Sequence, residues 1–260
     1  LIAPKGTVVN SKYPSAVVGG WEVGQKIVEA VFRAFSRAMP DRVPAETKKT
    51  ILHIAFGGVD PRSGEYYVFL ETNGGGFGGR PTKDGVDAVQ PALQNAENSP
   101  IEELEIGYPV LIKRYELIPD SEGAGKFRGG LGLRRDYQFR DHEANVTILA
   151  DTAKFPARGI YGGLDGKPAR YLLNPDGGNL KDVGSKSTFY ASPTDIVSIQ
   201  TPGGGGYGDP LERDPAAVLD DVRCGKVSLI RAREIYGVAI DPESWSVDKQ
   251  ETARLRSSKK

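Results

Sequence analysis

The apolar run Tyr66-Tyr67-Val68-Phe69-Leu70 leads directly into Glu71-Thr72-Asn73-Gly74-Gly75-Gly76-Phe77-Gly78-Gly79-Arg80, where five of the six positions from Gly74 to Gly79 are glycine. Glycine is used where φ must be positive or where backbone must come close to another group, so this density marks a feature built from backbone. The stretch reads as a strand ending in a cradle. Its N–H groups would suit an anion or an oxygen-rich ligand, with Glu71, Asn73 and Arg80 as polar side chains at the rim. A tight surface loop holding nothing is the alternative. Two further glycine clusters follow, within Gly123 to Gly132 and within Gly203 to Gly208.

With 33 glycines and 18 prolines falling between apolar segments, the chain suits a turn-rich, strand-rich fold rather than a disordered one. Its 260 residues leave room for one large domain or two small ones with a sizeable core. Lys plus Arg and Asp plus Glu balance at 34 each, so there is no overall basic field to hold nucleic acid. The single cysteine, Cys224, rules out an intrachain disulfide framework and agrees with a cytoplasmic setting. No apolar run approaches the length of a membrane span. The chain begins at Leu1, and its only methionine, Met39, lies inside a helical pattern, which reads as a piece of something longer.

Along the chain, apolar residues at Val23, Ile27, Ala30, Val31, Ala34, Phe35 and Ala38 predict a helix over Glu22 to Met39, stopped by Pro40. Its Val23/Ile27/Val31/Phe35 stripe should pack on a sheet at about 1.5–3 kcal/mol per fully buried side chain, so a charge at Val31 should cripple folding. Thr50 to Phe56 and Glu65 to Thr72 predict two strands paired as a hairpin through a Gly- and Pro-rich connection. A short helix is possible over Asp84 to Asn95. Ile101 to Leu117 reads as extended chain, alternation around Leu133, Tyr137 and Phe139 as a strand, and Asn145 to Ala150 as another. Ala169 to Leu173 and Asp195 to Thr201 complete the strands. Asp214 and Pro215 are the N-cap and first residue of a helix that Gly225 ends. Ser228 to Tyr236 is a second short helix, and the charged stretch after Trp245 should fray.

The expected fold class is α+β, with strand-rich mixed or antiparallel sheets and a few packed helices. Residues 1–210 form the strand-rich region, with a possible sub-boundary near 118–130, and 211–260 a helical extension.

His53 sits inside an apolar run, where a structural histidine is the natural reading, and His142 lies in a polar turn between Asp141 and Glu143. Two histidines in unrelated settings, without paired Cys or HxxxH spacing, argue against a self-contained metal site in this chain. No GxSxG elbow is present, and the glycine runs lack the Lys-Ser/Thr ending of a phosphate loop. Of the carboxylates at strand ends and glycine turns, Glu71 and Asp120 stand out as candidates. Arg80 and Arg128, each beside a glycine cluster, suit bidentate binding of a ligand carboxylate or phosphate, or pairing within the protein.

Several long motifs in order carry a family likeness. They are Ala3-Pro4-Lys5-Gly6-Thr7-Val8-Val9-Asn10, Phe56-Gly57-Gly58-Val59-Asp60-Pro61, Glu71 to Arg80 with Asp84-Gly85, Asn98-Ser99-Pro100-Ile101-Glu102, Arg114-Tyr115-Glu116-Leu117, Asp120 to Gly132, Thr201 to Pro210 and Tyr236-Gly237-Val238. Together they resemble the hydantoinase B/5-oxoprolinase family, over about the C-terminal half of a family member. The resemblance implies a division of labour in which a hydantoinase A-like subunit uses ATP to activate a small-molecule substrate. The hydantoinase B-like subunit then hydrolyses or carboxylates it at a divalent metal site. The family's metal ligands belong to the N-terminal half upstream of Leu1, so the resemblance implies neither metal nor ATP bound by this chain alone. Glu122 departs from the Asp-Ser-Gly-Gly reading usual in the second cluster; a side chain there disfavours positive φ, so the turn is altered or the residue faces solvent.

The resemblance implies part of an ATP-coupled hydrolase of cyclic amides of hydantoin, oxoproline or lactam type, with a place in an ATP-dependent ketone carboxylase as the alternative. A non-catalytic scaffold is a third reading. Gly74 to Arg80 alone is also similar to the cofactor-contacting glycine run of molybdenum hydroxylases, but the surrounding motifs do not match. Glu71, Asn73, Arg80, Asp120 and Arg128 are the candidate catalytic residues, and Gly74, Gly75, Gly76, Gly78 and Gly79 the candidate substrate-proximal loop.

Overall fold

The computed structural model describes residues 2–259; Leu1 and Lys260 lie outside it. The first helix, α1 (Gly20–Ser36), is present, but it packs by the face opposite to the one expected. Gln25, Glu29 and Ser36 are its buried residues, whereas Ile27 and Phe35 are 37% and 48% exposed. The reason lies in the segment below it, residues 45–52, which lacks a strand partner for much of its backbone. Glu22 Oε1 accepts from the backbone N–H groups of Ile51 and Leu52 at 2.8 and 2.9 Å, and Glu29 accepts from the Thr47 N–H and hydroxyl. Buried peptide groups must find partners, and the helix's polar face supplies them. A charge at Val31 is therefore not expected to disrupt this chain.

The expected hairpin forms, from β1 (His53–Val59) and β2 (Tyr66–Thr72), antiparallel with Phe56 opposite Phe69. Residues 84–95 make turns rather than a helix. Ile101–Gly107 is a helix, α2, where extended chain was expected, and β3 (Val110–Leu117) follows it. Then come β4 (Leu133–Phe139), β5 (Ala144–Leu149), β6 (Arg170–Leu173), β7 (Lys181–Asp182), β8 (Lys186–Ala191) and β9 (Ile196–Gln200).

Two antiparallel sheets result, ordered β2-β1-β5-β8 and β3-β4-β9-β6-β7. They face each other as a sandwich: Phe56 of β1 stacks within 5.7 Å of Tyr137 and 5.2 Å of Phe139 of β4, and Val146, Ile148, Tyr171, Val197 and Ile199 complete the core. The architecture is α+β with antiparallel pairing throughout these sheets.

Residues 211–259 carry a second core. It is built by α3 (Pro215–Arg223), α4 (Leu229–Glu234) and the ribbon β10 (Ala239–Asp241) with β11 (Ser246–Asp248), joined by Ala124, while α5 (Lys249–Ser257) packs on the ribbon. Asp214 caps α3 as expected, accepting from Ala216 N at 2.9 Å, with Pro215 at the first position. The extension is not purely helical. The stretch after Trp245 is ordered as α5, capped by Asp248 accepting from Glu251 N at 2.9 Å, so it does not fray.

Between the two cores lies a lattice of extended glycine segments. Gly76 N donates to Pro202 O, Gly79 N to Gly205 O, Gly130 N to Phe77 O and Gly204 N to Gly130 O, at 2.7–3.0 Å. None of these glycines has positive φ. They are needed for close approach, since a Cβ on Gly76 or Gly204 would collide with backbone atoms of the neighbouring segment.

Candidate functional site

β2 ends where the sandwich meets the glycine lattice, and a buried polar cluster gathers there. Glu71, on the inward parity of β2, is 7% exposed. Its Oε1 accepts a short hydrogen bond from the Tyr137 hydroxyl, and its Oε2 accepts from Asn98 Nδ2 at 2.9 Å. Burial, reinforced by the Glu71 carboxylate, pushes the Tyr137 phenol far above its usual value, so it stays protonated and donates. Asn73 Nδ2 reaches the same phenol at 3.4 Å.

Arg135 is fully buried beside this carboxylate. Its Nε lies 3.3 Å from Glu71 Oε1, close enough to pair in charge, yet none of its three nitrogens is aligned for a hydrogen bond among the described residues. The guanidinium is instead covered by the ring of Tyr115, 4.6 Å from its centroid, whose hydroxyl donates to Asn98 Oδ1 at 3.2 Å. Tyr115 is 46% exposed and, with Ala88, Leu117 and Leu133, lines a cavity of about 230 Å³. A buried guanidinium with open donors is costly unless another acceptor completes it, which makes this end of the sandwich the candidate for a polar ligand.

Lys48 closes the cluster on the lattice side. Fully buried, it donates from Nζ to Asn73 O and to Gln90 Oε1, the latter at 2.6 Å, and among the described residues no carboxylate pairs with it. Burial, partly opposed by Glu22, lowers its pKa to about 7.

The expected site residues do not converge. Glu71 and Asn73 meet in this cluster. Arg80 turns back on its own loop, donating from Nε to Asp84 O at 3.1 Å. Arg128 enters a buried ion network, bridging Asp87 and Asp221 at 2.9 Å each, while Arg213 bridges Asp84 and Asp221 at 2.7 Å. Asp120, at φ 60°, accepts from Ser228 N at 2.7 Å and fixes the start of α4. Glu122, expected to alter its turn or face solvent, is wholly buried and pairs with Arg231 at 2.6 Å and Tyr236 at 3.1 Å.

The cradle reading of the glycine run is corrected too. The N–H groups of Gly75, Gly76, Phe77 and Gly79 are all donated to carbonyls of Val89, Pro202, Val86 and Gly205. They belong to the lattice and are not free for an anion.

The residues that the sequence reading missed are Arg135, Tyr137, Asn98, Tyr115 and Lys48. Arg135 had a signal, since Leu133, Arg135, Tyr137 and Phe139 share one parity and a strand arginine on the apolar face must be buried. Lys48 in Lys48-Lys49-Thr50 had none.

Neither histidine is placed as a ligand. His142 Nε2 accepts from the Tyr67 hydroxyl at 2.7 Å while its Nδ1 donates to Arg140 O. His53 lies at the other end of β1. Among the described residues no three His, Cys, Asp or Glu side chains are grouped so as to hold a metal ion, the three aspartates around Arg128 and Arg213 being taken up by those guanidiniums.

Comparison with known proteins identifies the wider context. The hydantoinase B/oxoprolinase family profile matches residues 1–210. An uncharacterized protein of Methanocaldococcus jannaschii is 42% identical over 259 residues, covering 98% of this chain and 45% of that protein. A putative D-/L-hydantoinase polypeptide of the B type from a Pseudomonas strain is 33% identical over 258 residues, covering 98% of this chain and 43% of that protein. The crystal structure of ATP-dependent caprolactamase from Pseudomonas jessenii superposes with a TM-score of 0.80 at 31% identity, over 98% of this chain and 46% of that one. The chain thus spans less than half the length of the relatives it matches.

Proposed function

Because this chain belongs to the hydantoinase B/oxoprolinase family, we propose that it forms one part of the metal-dependent subunit of an ATP-coupled hydrolase of cyclic amides. The observation that carries this reading is the likeness to ATP-dependent caprolactamase, which extends over 98% of the chain at a TM-score of 0.80. A divalent metal would lower the pKa of the attacking water in such an enzyme. The described residues do not offer the ligands for it, so metal binding is assigned to the rest of the polypeptide and ATP use to a hydantoinase A-like partner.

In this reading the chain supplies a rigid wall. The stretch from Glu71 to Arg80 approaches the cleft at its Glu71 and Asn73 end, and the glycines behind serve as an unyielding mount. Glu71, with both oxygens held, pairs with Arg135, and the Arg135 charge behind the Tyr115 ring would favour a polar end of the substrate in the adjoining cavity.

The test is turnover by the complete assembly, with ATP consumption followed against a panel of cyclic amides and ketones, with and without bicarbonate. ATP-dependent opening of a cyclic amide is expected. A requirement for bicarbonate with a ketone substrate would replace the hydrolase reading by the carboxylase one. Arg135→Lys should lower kcat with the assembly intact, and unchanged turnover would remove the cluster from the cleft.

A further inference from the structure

Two neighbouring elements turn their apolar sides outward. The stripe of α1 is one. On β2, Tyr66, Val68 and Leu70 are 66%, 64% and 59% exposed, while Tyr67 and Phe69 between them pack against the core. A strand apolar on both faces is the pattern of a strand covered on both. The pairing register sets Leu70 beside Ala55 and Thr147, and Val68 beside Gly57 and Asn145, so the small residues of β1 leave a trough across the sheet. Continued onto β8 these rows reach Thr188 and Tyr190, and neither row contains a charged side chain.

At the His53 end the trough deepens into a cavity of about 460 Å³ walled by Val18, Trp21, Leu70 and Leu149. Trp21 is 67% exposed there, and His53 Nδ1 has no partner among the described residues. β2 is also an edge strand of its sheet. A largely apolar face, charged in the next row only at Lys186 on the far β8 edge, together with a cavity and an open strand edge, has the marks of an obligate interface.

We infer that this face seats the polypeptide making up the rest of a hydantoinase B-type protein, an inference that rests on the family reading above. More than half the length of each matched relative lies outside the match, which is ample chain to lay an apolar layer across the outer face of β2, β1 and β5. The buried polar face of α1 and its open stripe agree with the same occupant, since a helix with satisfied polar groups inside and apolar groups outside is a middle layer.

The test uses the whole 260-residue chain. The probe is the part of the Methanocaldococcus jannaschii relative outside the match, first shown to bind that relative's own matched part. Wild-type chain should capture the probe, and Val68→Asp should weaken capture by roughly tenfold or more. Ile230→Asp, a change at a 70% exposed position on α4, should leave capture unchanged. Because Val68 already stands in solvent, the variant should melt like wild type by circular dichroism, and Leu70→Asp serves as a second variant on the same face. No capture by wild type, or capture by both face variants equal to that of wild type, would overturn the inference. So would a wild-type dimer that Val68→Asp dissociates, which would give the face to a second copy. The readout is binding alone, so a failed turnover assay leaves this inference standing, and failed capture leaves the reaction class untouched.

Discussion

Replacing Lys48 by methionine should change how the stability of the chain depends on pH. Lys48 is wholly buried, and burial, only partly offset by Glu22, lowers its pKa from 10.5 to about 7. Between those values the unfolded chain binds one proton more than the folded chain, so stability rises with pH across that window. Below pH 7 both states carry the proton and the penalty is constant. At about 1.4 kcal/mol for each pH unit, the wild type should gain roughly 4 kcal/mol over the variant between about pH 7 and about pH 10. Methionine suits the comparison because it fills similar space without a charge, and its loss of the bonds to Asn73 O and Gln90 is an offset independent of pH. Urea unfolding of both proteins across this range measures the difference, in which the titrations they share cancel. Parallel stability curves would refute the reasoning, because they would mean that Lys48 holds its proton equally well folded and unfolded.

Two further perturbations probe the lattice and its anchorage. Gly204→Ala should destabilise the chain by about 3 kcal/mol or more, because the added Cβ meets the backbone of Phe77 and neither segment has a side chain that can move aside; a melt within a degree or two of wild type would contradict the lattice. Asp221→Ala should cost about 3–5 kcal/mol, since it strips Arg128 and Arg213 of a shared buried carboxylate. Limited proteolysis of that variant should release the region after residue 211, and unaltered cleavage would argue that the second core holds without the ion network.

Much of the sandwich was legible. Short apolar runs bounded by turn residues mark β1, β2, β5 and β9, alternation marks β4, and Asp214-Pro215 marks the start of α3 by local chemistry alone. The helix α1 was legible as a helix but not in orientation. Periodicity shows that two faces differ, and apolar-inward is only the usual choice; here Glu22 and Glu29 are drawn inward by unpaired peptide groups that are distant in sequence. Ile101–Gly107 was missed as a helix because seven residues span barely two turns. At the candidate site, Glu71 and Asn73 were legible from their place at a strand end. Lys48 was not, since its burial depends on Gln90 and Asn73 closing over it from other segments. The glycines were read as permissive backbone offering donors, and the error is instructive: glycine admits other backbone as readily as ligand, and three glycine clusters in one chain had one another to bind.

The lattice also sets the thermal character of the molecule. A region of this kind buries peptide groups and very little hydrocarbon, so melting it exposes surface whose hydration lowers the heat capacity of unfolding, where the sandwich raises it. The two contributions oppose each other within one chain. Its stability curve should accordingly be flatter than that of a fully side-chain-packed protein of equal length, holding the Glu71 and Arg135 end of the sandwich on a support whose cohesion changes little between cold and warm.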